Sequence, residues 1–370
     1  MKKSTWVLFL VTALAAGPAV AQLTINGAGA TFPYPIYSRW FDEYHTRHPD
    51  AQINYQSIGS GGGIRQLLAG TVDFGATDGP MTDEQLQQSK VKILHLPTVL
   101  GAVVATYNVA GSPRDLRFTP EALSGVFMGT VTRWNDPALA KANPGATLPA
   151  ADIIVVHRSD GSGTTYVWTD YLAKVSEPWR TKVGRNTSVN WPVGLGAKGN
   201  EGVAGLVAQT PNAIGYIELV YALQNRMAYG LVQNAGGAFV KPDLASVTEA
   251  AASAATTMPD DFRVSITNPA GKGAYPIASF TWLLVPVQMA DPNKARVMAD
   301  FLKWMLTDGQ KLASPLGYAP LPKKVAEQEM RALAQIQVPR SQPVSLAALR
   351  AAGTALRSDA TRTHSAFRAA

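Results

Sequence analysis

Two glycine-rich segments constrain this chain more than any other feature: Gly59-Ser60-Gly61-Gly62-Gly63 and Arg158-Ser159-Asp160-Gly161-Ser162-Gly163-Thr164-Thr165. Each follows an apparent strand and opens a stretch with helical spacing, so each reads as a strand-to-helix turn. A helix N-terminus carries unpaired backbone N–H groups and a partial positive charge. Glycine lets the backbone approach a ligand closely, and Ser and Thr add donors, so each segment reads as an anion cradle. Two cradles this far apart in the chain imply an anion held between two lobes.

The N-terminus reads as an export signal. Lys2 and Lys3 precede the apolar run 6–16, which is too short to span a bilayer, and Ala19-Val20-Ala21 supplies a small-x-small cleavage pattern. Residues 1–21 are therefore expected to be a signal peptide, cleaved after Ala21 to leave a mature chain in the periplasm. The chain has no cysteine, so neither a disulfide nor a lipidated cysteine is available, and stability must come from the core. Its 370 residues suffice for one, divided between two lobes. The formal net charge of +7 resides mostly at the ends: the signal carries +2 and residues 339–370 carry +4, leaving about +1 for 22–338. Nucleic-acid binders usually carry clustered Lys and Arg on the body. No nucleic-acid partner is expected here, and an anion site must work through local donors.

Strands alternate with helices along the body. Residues 52–55, 72–75, 102–106, 153–156, 214–216 and 280–286 read as strands. Ile36, Trp40 and Tyr44, behind Thr31, Pro33 and Pro35, read as one apolar helix face. Further helices are expected after each glycine segment, from an Asn200 cap carrying Val203, Leu206 and Val207, and around Phe301, Leu302, Met305 and Leu306. This pattern favours an α/β fold with mostly parallel sheets, whose ligands sit at the carboxyl ends of strands. Residues 235–260 read as surface loop and weak helix, and 339–370 as a basic, disordered tail.

Catalytic signatures are sparse. Ser60 and Ser162 do not stand in G-x-S-x-G, and no G-K-[ST] is present. His45 and His48 lack a third ligand nearby, so a solvated helix end is expected there rather than a metal site. Asn186-Thr187-Ser188 matches a glycosylation sequon only weakly, by its brevity. No metal and no cofactor is expected.

Six strings occur in a fixed order: Gly27-Ala28-Gly29-Ala30-Thr31-Phe32-Pro33; Gly59-Ser60-x-Gly62-Gly63; Val72-Asp73-Phe74-Gly75-Ala76-Thr77-Asp78; Arg158-x-Asp160-Gly161-Ser162-Gly163-Thr164; Gly194-Leu195-Gly196-x-Lys198-Gly199-Asn200; and Ala213-Ile214-Gly215-Tyr216. From about residue 23 to 338 the chain resembles the periplasmic phosphate-binding proteins of phosphate ABC transporters. The tail is not part of that family pattern. The resemblance implies a type II-like bilobal α/β fold of two mixed sheets with two crossover strands, lobe I being 22–104 and 275–338 and lobe II 105–274. It implies capture of inorganic phosphate, delivery to a membrane permease, no enzymatic activity and a monomer. It places phosphate on Thr31, Phe32, Ser60 and Asp78 in one lobe and on Arg158, Ser162, Gly163 and Thr164 in the other, with Asp160 supporting the arginine.

The residues read the same way on their chemistry. Arg158 can fork onto two anion oxygens. Asp78 is the odd member, since a carboxylate repels an anion unless the anion brings a proton. Phosphate brings one at neutral pH and sulfate does not, which sets the chain apart from a sulfate or molybdate receptor. Taken alone, Thr77-Asp78-Gly79-Pro80 is also good turn chemistry. Two other classes are weighed: an exported phosphohydrolase using Ser162 or Ser60, which lacks a placed base because His157 should face away from Arg158 across the strand, and an adhesive surface protein, for which the tail is the only hint.

Overall fold

The computed structural model describes residues 22–252 and 254–338. The expected signal peptide and its cleavage site at Ala21, and the basic tail 339–370, lie outside the described residues. The strands are β1 (Leu23–Gly29), β2 (Ala51–Ser57), β3 (Phe74–Thr77), β4 (Ile93–Asn108), β5 (Arg117–Phe118), β6 (Ile154–Arg158), β7 (Leu195–Ala197), β8 (Ala213–Glu218), β9 (Ala228–Tyr229), β10 (Leu231–Gln233), β11 (Phe239–Val240) and β12 (Ala278–Pro286). The helices are α1 (Tyr34–Arg47), α2 (Ser60–Leu68), α3 (Asp83–Gln87), α4 (Pro120–Met128), α5 (Pro137–Ala142), α6 (Gly163–Val175), α7 (Glu177–Lys182), α8 (Gly199–Gln209), α9 (Leu219–Gln224), α10 (Leu244–Ala252), α11 (Pro292–Leu306) and α12 (Lys323–Ala332).

The main sheet runs β2-β1-β3-β12-β4-β8-β6-β7, and β9 also pairs with β4. Its two halves share β4, whose residues are buried up to the penultimate one. From Ile93 to Ala102 this strand pairs with β12, and from Val103 to Asn108 with β8. Away from that seam each half is parallel, as the alternation predicts: β1 with β2 and β3, and β6 with β7 and β8. The expectation of mostly parallel pairing fails at β4 and β12, which pair antiparallel. A chain that crosses from one half to the other and later returns alongside must run the two passes in opposite directions. The return is fastened beside the crossing by Val103 N–H donating to Ile277 O at 2.8 Å.

Local sequence explains most elements. Helix α1 has proline in its first turn and buries Ile36, Tyr37, Trp40, Phe41 and Tyr44 along one stripe. The Trp40 indole N–H donates to Gly309 O at 2.7 Å, so its polar edge is satisfied in the core. The segment read as loop and weak helix contains α10, which buries Ser246, Val247, Ala250 and Ala251 against β4 and β12. Its small side chains let the helix lie close to the sheet, and that packing is what a polarity count overlooks. The strand expected at 72–75 begins at Phe74, because Asp73 is drawn off to accept from Asn26 N–H (2.8 Å) and Lys294 Nζ (2.9 Å).

Helix α2 lies almost against the backbone of β1. A Cβ on Gly63 would stand 2.4 Å from Ala28 O and 2.5 Å from Gly29 Cα. In an open helix Gly→Ala gains about 1 kcal/mol. At Gly63 the crowding reverses the sign: Gly63→Ala is expected to lower the unfolding free energy by roughly 1–3 kcal/mol, read as the urea midpoint at constant slope. A midpoint at or above that of the parent chain would show that α2 can move off the strand at no cost.

Candidate functional site

All eight predicted ligand residues converge. Thr31 and Phe32 follow β1, Ser60 opens α2 just after β2, Asp78 follows β3, Arg158 ends β6, and Ser162, Gly163 and Thr164 start α6. Four strand ends of one sheet therefore face a common point, the usual ligand position in open α/β sheets. None of Thr31, Phe32, Ser60, Asp78, Arg158, Ser162 or Thr164 is more than 3 % exposed. The two glycine segments touch directly. Gly61 N–H donates to Gly161 O at 2.8 Å, and a Cβ on either residue would lie 3.1 Å from the Cα of the other. Any side chain there would hold the two segments apart.

The hydroxyl groups of the site are oriented by what they accept. Ser60 Oγ accepts from the N–H of Asp78 (3.3 Å) and of Gly163 (3.0 Å). Thr31 Oγ1 accepts from the backbone N–H of Asn200 (3.3 Å) and from Asn200 Nδ2 (2.7 Å). Thr164 Oγ1 accepts from Arg158 Nη1 (3.4 Å) and Asn200 Nδ2 (3.2 Å). A hydroxyl has two lone pairs and one proton. These three have filled both lone pairs with protein N–H groups and keep a proton to give. Ser162 Oγ accepts from Thr165 N–H at 3.0 Å as the cap of α6. Among the described residues none of the four hydroxyls donates to a protein group, and Phe32 N–H has no acceptor.

Arg158 donates through Nε (2.7 Å) and Nη2 (2.5 Å) to the two oxygens of Asp160. This occupies the inner edge of the guanidinium, so the fork offered to an anion is the outer Nη1–Nη2 edge. Burial pushes the Asp160 carboxyl up, but the hydrogen bonds and charge of Arg158, with the N–H of Gly199 at 3.1 Å, hold it below the ordinary carboxylate range. Asp78 lies in the opposite balance. Burial raises it to about 7, against the opposing effects of a hydrogen bond from Thr281 Oγ1 (2.8 Å) and the Arg158 charge. Thr281 occupies Oδ1. Oδ2 lies at Gly163, 2.5 Å from where a Cβ on that residue would be. The cluster is thus a set of donors with one carboxyl among them.

Sequence reasoning missed the residues that orient this set. Asn200 is the second residue of α8 rather than its cap, a position taken by Lys198, and its amide serves Thr31 and Thr164. Tyr221 donates to Thr31 O (2.6 Å) and Tyr318 to Phe32 O (2.7 Å). Thr281 lay inside a buried apolar run, where one hydroxyl was the available signal. His157 and Arg158 do take opposite faces of β6, with His157 stacked on Trp191 at 4.8 Å.

Residues 14–309 match the model of the PBP superfamily domain. The chain is 46% identical over 308 residues to the phosphate-binding protein PstS of Xylella fastidiosa, covering 83% of this chain and 84% of that protein. It is 43% identical over 328 residues to the phosphate-binding protein PstS of Pasteurella multocida, covering 88% of this chain and 94% of that one. The chain belongs to this family of phosphate-binding proteins. In fold it is also similar to a phosphate-binding protein from Stenotrophomonas maltophilia, with a TM-score of 0.67 at 18% identity over 84% of this chain and 94% of that one. A phosphate ABC transporter substrate-binding protein from Clostridium perfringens, solved with bound phosphate, superposes with a TM-score of 0.61 at 17% identity over 81% of this chain and 100% of that one. These two solved structures share the α/β fold of this chain.

The raised Asp78 carboxyl makes stability depend on pH. The folded chain keeps this proton to about pH 7, whereas the unfolded chain releases it near 3.8. The stabilisation is complete below the lower value and declines by about 1.4 kcal/mol per pH unit as pH rises toward the upper one. In phosphate-free buffer the unfolding free energy is expected to fall between pH 5 and 7, and Asp78→Asn should remove that part of the slope. Parallel profiles for the two proteins would place the titrating group elsewhere.

Proposed function

We propose that this chain captures inorganic phosphate in the cleft between its lobes and delivers it to the permease of an ABC transporter for import. It is a binding protein, not an enzyme. The observation that carries the reading is the hydrogen-bond balance of the site: hydroxyls whose lone pairs are already filled, a guanidinium edge, and one carboxyl oxygen not committed elsewhere. Donors alone would suit any tetrahedral oxyanion. Above about pH 7, where Asp78 has given up its own proton, the carboxyl adds a demand for a ligand oxygen that carries one, which phosphate meets and sulfate does not.

In this reading Thr31, the Phe32 N–H, Ser60 and Asp78 hold the anion from one side, and Arg158, Ser162, the Gly163 N–H and Thr164 hold it from the other. Asp160 steadies the arginine. We assign 22–104 and 275–338 to one lobe and 105–274 to the other, with β4 and the start of β12 as the crossings. The protein acts as a monomer in the periplasm, exported by the signal in residues 1–21.

Calorimetric titration with phosphate and with sulfate, at matched pH and low salt, tests the site. Arg158→Ala should weaken phosphate by several kcal/mol, through loss of charge-assisted hydrogen bonds from a buried cation. Asp78→Asn should narrow the preference for phosphate, chiefly by relieving sulfate. A parent protein that does not distinguish the two anions, or an Arg158→Ala variant within about tenfold of it (1.4 kcal/mol), would sink the assignment. Export is checked separately by intact mass. The mature protein is expected to start at Gln22, and a mass that retains residues 1–21 contradicts cleavage.

A further inference from the structure

The amide of Asn200 has a fixed orientation. Its Oδ1 must face the Glu218 N–H, which it accepts at 3.0 Å, so the NH2 group points the other way. That single NH2 group gives its two hydrogens to Thr31 Oγ1 (2.7 Å) and Thr164 Oγ1 (3.2 Å). The two acceptors come from opposite sides of the cleft, Thr31 from the β1 side and Thr164 from the β6 side. Asn200 is fully buried, and its own backbone N–H adds a third bond, to Thr31 Oγ1 at 3.3 Å.

The residue behind it stands at the seam between the halves. Glu218 ends β8, opposite Val103, where β4 changes partner. Its Oε2 accepts from Val220 N–H at 2.7 Å and so caps α9. From α9, the Tyr221 hydroxyl donates to Thr31 O at 2.6 Å. Thr31 is thus held at its carbonyl and at its hydroxyl by the opposite side.

We infer that Asn200 is a positioning residue that couples approach of the two lobes to the orientation of the Thr31 hydroxyl. Away from Asn200, the Thr31 hydroxyl regains both lone pairs and can turn its proton elsewhere, whereas Thr164, on the same lobe as Asn200, keeps its bond throughout. Once the lobes meet, the Asn200 backbone N–H and NH2 group fill those lone pairs and leave the Thr31 proton for an anion beside that of Thr164. Closure then creates a donor as well as bringing donors together. This inference rests on the phosphate reading above.

The test is a double-mutant cycle with inorganic phosphate, following association and dissociation rates by rapid mixing. Asn200→Ala is expected to raise the dissociation rate roughly tenfold or more while leaving the association rate within about twofold, because its side-chain bond to Thr31 forms only after closure. In a Thr31→Val background, which keeps the shape and removes the hydroxyl, the same substitution should cost clearly less. If Asn200→Ala does not fold by urea titration, the uncharged Asn200→Ser takes its place in both backgrounds. Equal losses in the two backgrounds, or no loss in either, overturn the coupling role. A parent protein that fails to bind phosphate overturns the underlying reading instead.

Discussion

A hydroxyl becomes an obligate donor only when its lone pairs are filled, and the cleft depends on that condition. Filling them takes N–H groups from different parts of the chain. Ser60 is served by the amides of Asp78 and Gly163, Thr31 by Asn200, and Thr164 by Asn200 and Arg158. All of these pairings except Arg158 with Thr164 join segments that are distant in sequence, so the polarity of the site is a property of the assembled fold. The sheet supplies the convergence by ending β1, β2, β3 and β6 at one place. The crossing strand β4 supplies continuity, being wholly interior as it passes from one half to the other.

The acidic side chains around the cleft follow from the same enclosure. Burial pushes the Glu218 carboxyl far above its ordinary value, with the Asp78 charge adding to the effect. Asp160 escapes only because it is hydrogen-bonded to Arg158 and Gly199. With the body of the chain near neutrality, an anion draws little from long-range attraction and depends on the donors it meets inside. Affinity of that kind resists salt better than binding to a surface patch of lysines would.

Much of this was legible in the residue string. Strand-to-helix turns rich in glycine and hydroxyls marked both cradles, and the proline-led stripe Ile36, Trp40, Tyr44 marked α1. Asp160 was readable because it sits two residues from the arginine it holds. The rest was hidden for identifiable reasons. Antiparallel pairing of β4 and β12 is a consequence of crossing twice, which no local window contains. Asn200 stands where a helix cap would be expected, and only the tertiary position of Thr31 reveals its other use. Helix α10 was obscured because alanine and serine look like loop composition until a sheet is set beneath them.

The contact between Gly61 and Gly161 has one more consequence. The two backbones meet at hydrogen-bond distance with no side chain between them, and the residues beneath are sealed from solvent. Such a junction acts as a calliper. It fixes the smallest gap to which the jaws can shut, and so the largest object that can be wholly enclosed. A bare tetrahedral ion leaves nothing protruding. A phosphate ester carries its alcohol on one oxygen, and that group would have to pass between the jaws and prop them apart. Clearance at this junction is therefore set by two residues that carry no side chain.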